Sequence, residues 1–207
     1  MSETDLLEQM RQRIAEGGKP KVSKKAWTAP VREDFALGRV LAFDQTLTKT
    51  GFSLVVHDNA SLRVAEANLL LPEVDKSLKG FEQTFARAAW LDLRLPMLMA
   101  LLAPQVDVVV HEMPAVQGYR TESSLMAAQC VRRAARGAVG GVPVAMVSNQ
   151  TMRKVLNAPE QRFEKKYVGQ AVDALIPAEQ RAAKRWNQDV HDSVGLALTY
   201  LYQKAHP

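Results

Sequence analysis

Between residues 39 and 71 the apolar residues form three short runs that are separated by polar turns. The runs are Val40–Phe43, Phe52–Val56 and Leu62–Leu71. Val40–Phe43 is apolar at every position, which is typical of a central strand that is buried on both faces. Because the turns between the runs are short, the pattern predicts an antiparallel meander of three strands.

After residue 80 the pattern changes to an alternation of helices and strands. Helical spacing of apolar residues occurs in Phe81–Leu102, Ser123–Val139, Thr151–Leu156, Glu164–Leu175 and Asp189–Gln203. Two apolar runs between these segments, Val106–Val110 and Val142–Val147, are interpreted as further strands. A three-strand meander followed by this αβαβα order predicts an α/β domain with a five-stranded mixed sheet and helices on both faces.

The composition divides the chain into an N-terminal extension, residues 1–35, and a domain, residues 36–207. The extension contains Gly17-Gly18-Lys19-Pro20 and a Lys-rich polar stretch, so we expect a flexible linker. Its first residues, MSETDLLEQMRQR, lack the apolar centre of a secretory signal. A membrane-spanning helix needs roughly 20 apolar residues in succession. The sequence has no such stretch, so we expect no membrane partner.

Charge and cysteine content narrow the class of function. The formal net charge is +5, and basic residues are concentrated between residues 150 and 186. Basic groups near a set of acids indicate a polyanionic partner such as nucleic acid. The single cysteine, Cys130, excludes an internal disulfide and a Cys-rich zinc site, and we expect it to be a small packed apolar residue. An intracellular, reducing location is therefore expected.

Four acidic residues stand at positions where strands end or a helix begins. Asp44 and Glu112 each end an apolar run that is predicted to be a central strand. Asp189 and Asp192 are three residues apart near the start of the last helix and so share a face. Singly, each acid has a simpler explanation, such as a turn, a surface position or a helix cap. Together they predict one site, because ligand sites gather at strand ends of α/β sheets.

Converging carboxylates repel one another unless a cation neutralises them. Hard divalent cations prefer oxygen ligands, so the acid set predicts binding of Mg²⁺ or Mn²⁺ rather than zinc. Two such ions in one site would suit phosphodiester hydrolysis. We therefore interpret Asp44, Glu112, Asp189 and Asp192 as both the metal ligands and the catalytic residues of a nuclease.

Three segments that contain these acids resemble the motifs of the RuvC-type Holliday junction resolvases, in the ribonuclease H-like superfamily. They are VLAFDQTLTKTGFSLV, VDVVVHE and DVHDSVGLALTYLY, in the family's order, and the match covers roughly residues 38–204. The resemblance implies a ribonuclease H-like fold and a homodimer that nicks a four-way DNA junction symmetrically with Mg²⁺ or Mn²⁺. It also implies that the protein is located in the cytoplasm of a bacterial or phage-infected cell.

The resemblance extends to DNA-binding positions. SNQTMRKVL and KKYVGQAV are similar to the family's basic DNA-contacting segment, so Arg153 or Lys154, and Lys165 or Lys166, are the matching residues. The family's aromatic wedge after the second-motif acid is absent here. The nearest aromatic is Tyr119, beside Arg120; it could stack on an unpaired base or be an ordinary exposed loop residue.

Other features leave alternatives open. Gln45-Thr46 replaces the Pro-Gly that is common in cellular members of the family, as in phage-borne relatives. The function could instead be that of a related ribonuclease H-like nuclease acting on flaps, forks or RNA–DNA hybrids, or of a non-catalytic junction-binding protein of the same fold. His191 lies between the two last aspartates, but on a helix it points away from both, which favours a supporting or surface role.

Overall fold

The computed structural model of the chain describes residues 29–114, 121–138, 140–156, 166–181 and 186–207. Within these residues one sheet contains five strands, which are β1 (Gly38–Asp44), β2 (Thr50–His57), β3 (Leu62–Leu70), β4 (Val108–Glu112) and β5 (Val144–Val147). The strand order across the sheet is β3-β2-β1-β4-β5. The pairs β1–β2 and β2–β3 are antiparallel, whereas β1–β4 and β4–β5 are parallel. The predicted mixed sheet is therefore confirmed.

The central strand β1 is buried on both faces, as its unbroken apolar run predicts. Val40 and Ala42 contribute to one hydrophobic core, and Leu41 and Phe43 to the other. This division follows from the two-residue period of a strand, which turns successive side chains to opposite faces. Because β1 lies in the middle of the sheet, its last residue, Asp44, lies midway across the end of the sheet at which β1 and β4 finish. We call this end of the sheet the sheet edge.

Helices cover both faces of the sheet. They are α1 (Gly80–Leu102), α2 (Thr121–Gly137), α3 (Asn149–Leu156), α4 (Lys166–Leu175) and α5 (Gln188–Ala205). Helices α1 and α2 pack on the face that contains Leu41 and Phe43, and α3, α4 and α5 pack on the opposite face. None of the helices in the described part of the chain is both long and apolar enough to cross a bilayer.

Several element boundaries differ from the sequence prediction by one or two residues, and a helix cap and a proline explain two of these differences. Helix α3 starts at Asn149, earlier than predicted, because the Ser148 hydroxyl accepts a hydrogen bond from the Thr151 amide at 3.0 Å and caps the helix. Strand β5 starts at Val144, later than predicted, directly after Pro143, which has no amide hydrogen to donate. Each change moves a boundary by two residues and leaves the order of elements as predicted.

Residues 29–37 lie against the domain. Phe35 is buried in the core on the α5 side and makes an edge-on contact with Tyr202, with ring centroids 6.1 Å apart. The Ala36 amide donates to the Leu201 carbonyl at 3.0 Å. The Arg32 guanidinium donates to the Asp58 and Asn59 carbonyls. Packing therefore begins before residue 36, and the rest of the extension, residues 1–28, lies outside the described residues.

Cys130 is a packed core residue, as the sequence predicts. Its side chain is buried on α2 against α1, and its thiol contacts the Ala88 carbonyl. Burial raises the pKa of the Cys130 thiol to about 12, and the nearby Asp92 carboxylate acts in the same direction. At neutral pH the sulfur is therefore a neutral thiol rather than a nucleophilic thiolate.

Candidate active site

The two strand-end acids lie side by side at one edge of the sheet. In the parallel pairing of β1 with β4, Phe43 lies opposite His111. The next residue of each strand is an acid, Asp44 on β1 and Glu112 on β4. On its other side Asp44 pairs with Gly51, the second residue of β2. The register of the sheet therefore brings together the two acids that the sequence predicts at strand ends.

The start of α5 packs onto the same edge. The Asn187 side chain caps this helix by accepting a hydrogen bond from the Val190 amide at 3.0 Å. The Asp189 main chain touches Gly51, since a Cβ atom on Gly51 would lie 2.3 Å from the Asp189 carbonyl oxygen. Asp192, one turn further along the helix, is only 4% exposed. The third motif thus reaches the edge where Asp44 ends its strand.

Three of the four acids, Glu112, Asp189 and Asp192, contact a side chain that donates a hydrogen bond or carries a positive charge. The Asn149 amide donates to Glu112 Oε1, and Gln188 Nε2 donates to Asp192 Oδ1 at 2.8 Å. The Lys49 ammonium forms an ion pair with Asp189 Oδ2. Each of these contacts restricts the orientation of one carboxylate.

The main chain of Glu112 is also hydrogen-bonded, to the side chain of Gln45. Gln45 Nε2 donates to the Glu112 carbonyl at 2.8 Å, and the Glu112 amide donates to Gln45 Oε1 at 3.1 Å. On the β5 side, the Met113 amide donates to the Val147 carbonyl at 2.9 Å. Glu112 is therefore fixed between β1 and β5.

His111, which precedes Glu112, is fully buried and has a structural role. The Arg132 Nε–H group donates to His111 Nε2 at 3.0 Å. A guanidinium can only donate. The ring proton must therefore be on Nδ1, which donates to the Glu112 carbonyl at 2.7 Å. Burial lowers the pKa of His111, and so does the nearby Arg132 charge. The hydrogen bond to Glu112 acts in the opposite direction. His111 is therefore a neutral donor.

His191 faces away from the acids, in agreement with its helical position. Its Nδ1 lies 3.0 Å from the Asn187 carbonyl and its Nε2 lies 3.2 Å from Asp173 Oδ1 on α4. Arg181 also contacts Asp173, at 2.7 Å, and lies over the Trp186 ring. These contacts join the start of α5 to α4, so His191 supports the helix that carries Asp189 and Asp192.

The donor set at this edge suits a hard divalent cation, since it consists of carboxylate oxygens and includes a buried one on Asp192. In the described part of the chain, no three Asp, Glu, His or Cys side chains are already gathered closely enough to hold one ion. The strand register and the start of α5 place the four acids on neighbouring elements. Lys49 contacts the carboxylate of Asp189, Asn149 that of Glu112 and Gln188 that of Asp192.

No family model and no curated protein matches the sequence. Solved structures are similar in fold. RuvC of Thermus thermophilus, solved in complex with a Holliday junction substrate, has a TM-score of 0.62 and 16% sequence identity over 81% of this chain and 96% of that chain. Ydc2, the yeast mitochondrial Holliday junction resolvase, has a TM-score of 0.54 and 14% identity over 85% of this chain and 82% of that chain.

The chain has a RuvC-like fold. The predicted ribonuclease H-like architecture is thereby confirmed, and the elements that carry the acids stand in the order that the three motifs predict.

The structure describes only some of the predicted DNA-contacting residues of this RuvC-like domain. Arg153 and Lys154 lie on α3, where Lys154 is exposed and Arg153 is half-buried. Arg153 is four residues after Asn149, so it shares the helix face that reaches Glu112. Tyr119, Arg120 and Lys165 lie outside the described residues. Lys166 begins α4, and its side chain is likewise outside the described part.

Four residues at this edge were missed by sequence reasoning. They are Gln45, Lys49, Asn149 and Gln188, each of which contacts one of the predicted acids. Gln45 offered a signal, because it stands where the family often has proline, and a polar residue directly after a buried strand needs a partner. Lys49 and Asn149 offered none, because their contacts depend on how the turn after β1 and the start of α3 fold back onto the sheet edge.

Proposed function

We propose that this protein is a metal-dependent endonuclease that cleaves branched DNA, with the four-way Holliday junction as its substrate. The observation that carries the proposal is the meeting of β1, β4 and α5 at one sheet edge, each with its predicted acid. The RuvC-like fold supports the choice of substrate, because the T. thermophilus protein of this fold was solved with a Holliday junction.

Asp44, Glu112, Asp189 and Asp192 are proposed to hold Mg²⁺ or Mn²⁺, with two ions in each site. When bound, such ions activate a water molecule and stabilise the leaving oxygen of the phosphodiester. Asn149 and Gln188 are proposed to orient the carboxylates of Glu112 and Asp192 by donating hydrogen bonds, whereas the Lys49 ammonium would compete with a cation for Asp189.

Positive side chains beside the acids are proposed to bind the phosphate backbone. Arg153 and Lys154 lie on α3, whose first residue donates to Glu112. Phosphate contacts from such residues supply most of the affinity for DNA without reading its sequence. The remaining members of the proposed DNA-binding set are Tyr119, Arg120, Lys165 and Lys166.

Symmetric nicking of a four-way junction needs two active sites, and we propose that a second copy of the chain packs on the outer face of α1. This helix buries one apolar face against the sheet, and its other face also presents large apolar side chains. Those with at least half of their surface exposed on this outer face are Phe85, Leu93, Met97 and Leu101. Exposed apolar patches of this kind mark protein–protein interfaces.

The interface can be tested with Leu93→Glu, which places a charge in the middle of the outer face of α1. We expect the wild-type protein to be a dimer by light scattering and the variant to be a monomer with an unchanged circular dichroism spectrum. The variant should also lose paired nicking. A wild-type monomer that still makes paired nicks would overturn this part of the proposal.

The proposed activity can be tested with a labelled four-way junction in the presence of Mg²⁺. We expect paired, symmetric nicks from the wild-type protein. Asp44→Asn should abolish cleavage but leave junction binding in Ca²⁺ largely intact, whereas Glu66→Gln, which changes an exposed acid on β3, should have no effect. Faster cleavage of flaps, forks or RNA–DNA hybrids would move the assignment to a related nuclease. Tight junction binding with no metal-dependent nicking would indicate a non-catalytic binding protein.

A further inference from the structure

The side chain of Gln45 continues the pairing of β1 with β4 after the main chain of β1 has left the sheet. The last main-chain pair of these strands is Phe43 with His111. Beyond Asp44 the chain enters a turn, in which the Thr46 hydroxyl donates to the Lys49 carbonyl at 2.6 Å and accepts from the Lys49 amide at 3.0 Å. The side-chain amide of Gln45 continues the hydrogen bonding to β4: its Nε2 donates to the Glu112 carbonyl, and its Oε1 accepts from the Glu112 amide.

Only a carboxamide side chain of this length can make both bonds. It carries a donor and an acceptor on one planar group, as a backbone peptide does. The side chain is 2% exposed, so both polar atoms need protein partners. A methionine of similar size would bury no polar atom but would leave the Glu112 amide and carbonyl without these partners. A glutamate could accept from the amide but could not donate to the carbonyl when ionised.

The effect of these two bonds is to tie the main chains of the two strand-end acids together. Gln45 is covalently next to Asp44, so its grip on Glu112 fixes one acid relative to the other. On its other flank, Glu112 is held by the pairing of β4 with β5, and its carboxylate is held by Asn149. The relative position of the Asp44 and Glu112 main chains is therefore held by the Gln45 amide as well as by the pairing of β1 with β4.

We infer that Gln45 is a positioning residue, which sets the separation of the Asp44 and Glu112 carboxylates and thereby the affinity of the site for a divalent cation. This inference rests on the proposed function, since that function assigns a cation to these two acids. Residues that orient metal ligands typically change metal affinity or activity by about 10–100-fold when they are replaced. The same range is expected for Gln45.

The inference is tested by Mn²⁺ titration calorimetry of Gln45→Met without DNA. We expect the Mn²⁺ affinity to fall by about 10-fold or more. In the junction assay, the Mg²⁺ concentration for half-maximal nicking should rise by a similar factor, and the rate at saturating Mg²⁺ should fall much less. A residue that merely stabilised the fold would lower the melting temperature without moving the metal dependence.

Thr199→Val is the matched control. It also removes a buried hydrogen bond, from the Thr199 hydroxyl to the Gly195 carbonyl at 2.8 Å, about two helical turns beyond Asp192 on α5. Its Mn²⁺ affinity should equal that of the wild type. An equal loss of affinity in both variants, or no loss in Gln45→Met, would overturn the inference while leaving the proposed function in place.

A second measurement needs no variant. The Glu112 amide donates to Gln45, so its hydrogen should exchange slowly with solvent in the wild-type protein, even without metal. Rapid exchange at Glu112, with slow exchange at Val109 and Val110 of the same strand, would overturn the inference even if Gln45→Met did not fold. A wild-type protein that neither binds Mn²⁺ nor nicks the junction would overturn the proposed function, and this inference with it.

Discussion

Gly51 and Asp189 are in direct backbone contact: a Cβ atom on Gly51 would lie 2.3 Å from the Asp189 carbonyl oxygen and 2.5 Å from its carbonyl carbon. Gly51 is also the pairing partner of Asp44. A single glycine thus allows α5 to approach the edge of the sheet at the point where the first acid lies. Any side chain there would separate the two parts of the proposed site.

Replacement of Gly51 by alanine should destabilise the protein and reduce cleavage. The added methyl group meets backbone atoms, which cannot rotate away, so α5 has to shift. Overpacking of this kind typically costs about 1–3 kcal/mol. Urea denaturation should therefore show a lower free energy of unfolding. Gly137→Ala is the control, because a Cβ atom at Gly137 meets open space. Equal stability of the two variants would contradict the prediction.

Removal of the Lys49 charge should strengthen metal binding. The Lys49 ammonium contacts the same carboxylate, that of Asp189, to which we assign a cation. Like charges at about 4 Å repel by about 1 kcal/mol even in water. Lys49→Met should therefore bind Mn²⁺ several-fold more tightly in calorimetry without DNA. Lys154→Met, which removes an exposed lysine from α3, should leave the affinity nearly unchanged. Weaker Mn²⁺ binding by Lys49→Met would mean that Lys49 orients Asp189 instead of competing for it.

Replacement of Arg153 and Lys154 by alanine should weaken junction binding and reduce its dependence on salt. Each phosphate contact that is lost lowers the slope of log affinity against log salt concentration by about 1. Fluorescence anisotropy over a series of KCl concentrations should thus give a slope smaller by about 2. Arg63→Ala is the control, because Arg63 lies on β3 near the opposite end of the sheet. An unchanged slope in the double variant would remove α3 from the DNA interface.

The stability of the protein should fall as the pH drops below about 6.5, in part through His111. Burial lowers the pKa of His111 in the folded protein below its ordinary value of 6.5. Below pH 6.5 the unfolded chain therefore takes up a proton that the folded protein does not, and protonation favours unfolding. Denaturation at about pH 7.5 and about pH 5 should show this loss, and it should be smaller in His111→Gln. An equal loss in both proteins would assign the pH dependence to other groups.

The sequence predicts the fold and the positions of the four acids at strand ends and near a helix start, because both depend on local patterns. The apolar run that ends at Asp44 identifies a central strand, and the three-residue spacing of Asp189 and Asp192 puts both on one face of a helix. The register of β1 against β4 then places Asp44 beside Glu112 without any further information.

The surroundings of the acids could not be predicted in the same way. Gln45, Lys49 and Asn149 are polar residues in turns or at a helix start, and local sequence is compatible with solvent exposure for each of them. Their contacts exist only because distant segments meet at the sheet edge. Phe35 is a similar case, since one aromatic residue in a segment of linker composition does not indicate that it packs against Tyr202 of α5.

The contact of Gly51 with Asp189 has a consequence for how the protein folds. Strands β1, β2 and β3 are joined by short turns and can pair early, because little chain entropy is lost in closing such loops. Asp189 reaches Gly51 only after the intervening chain has collapsed around the sheet, and contacts at such large sequence separation form slowly. The edge that gathers the acids is therefore completed late, so a partly folded chain has the meander but lacks the acidic edge.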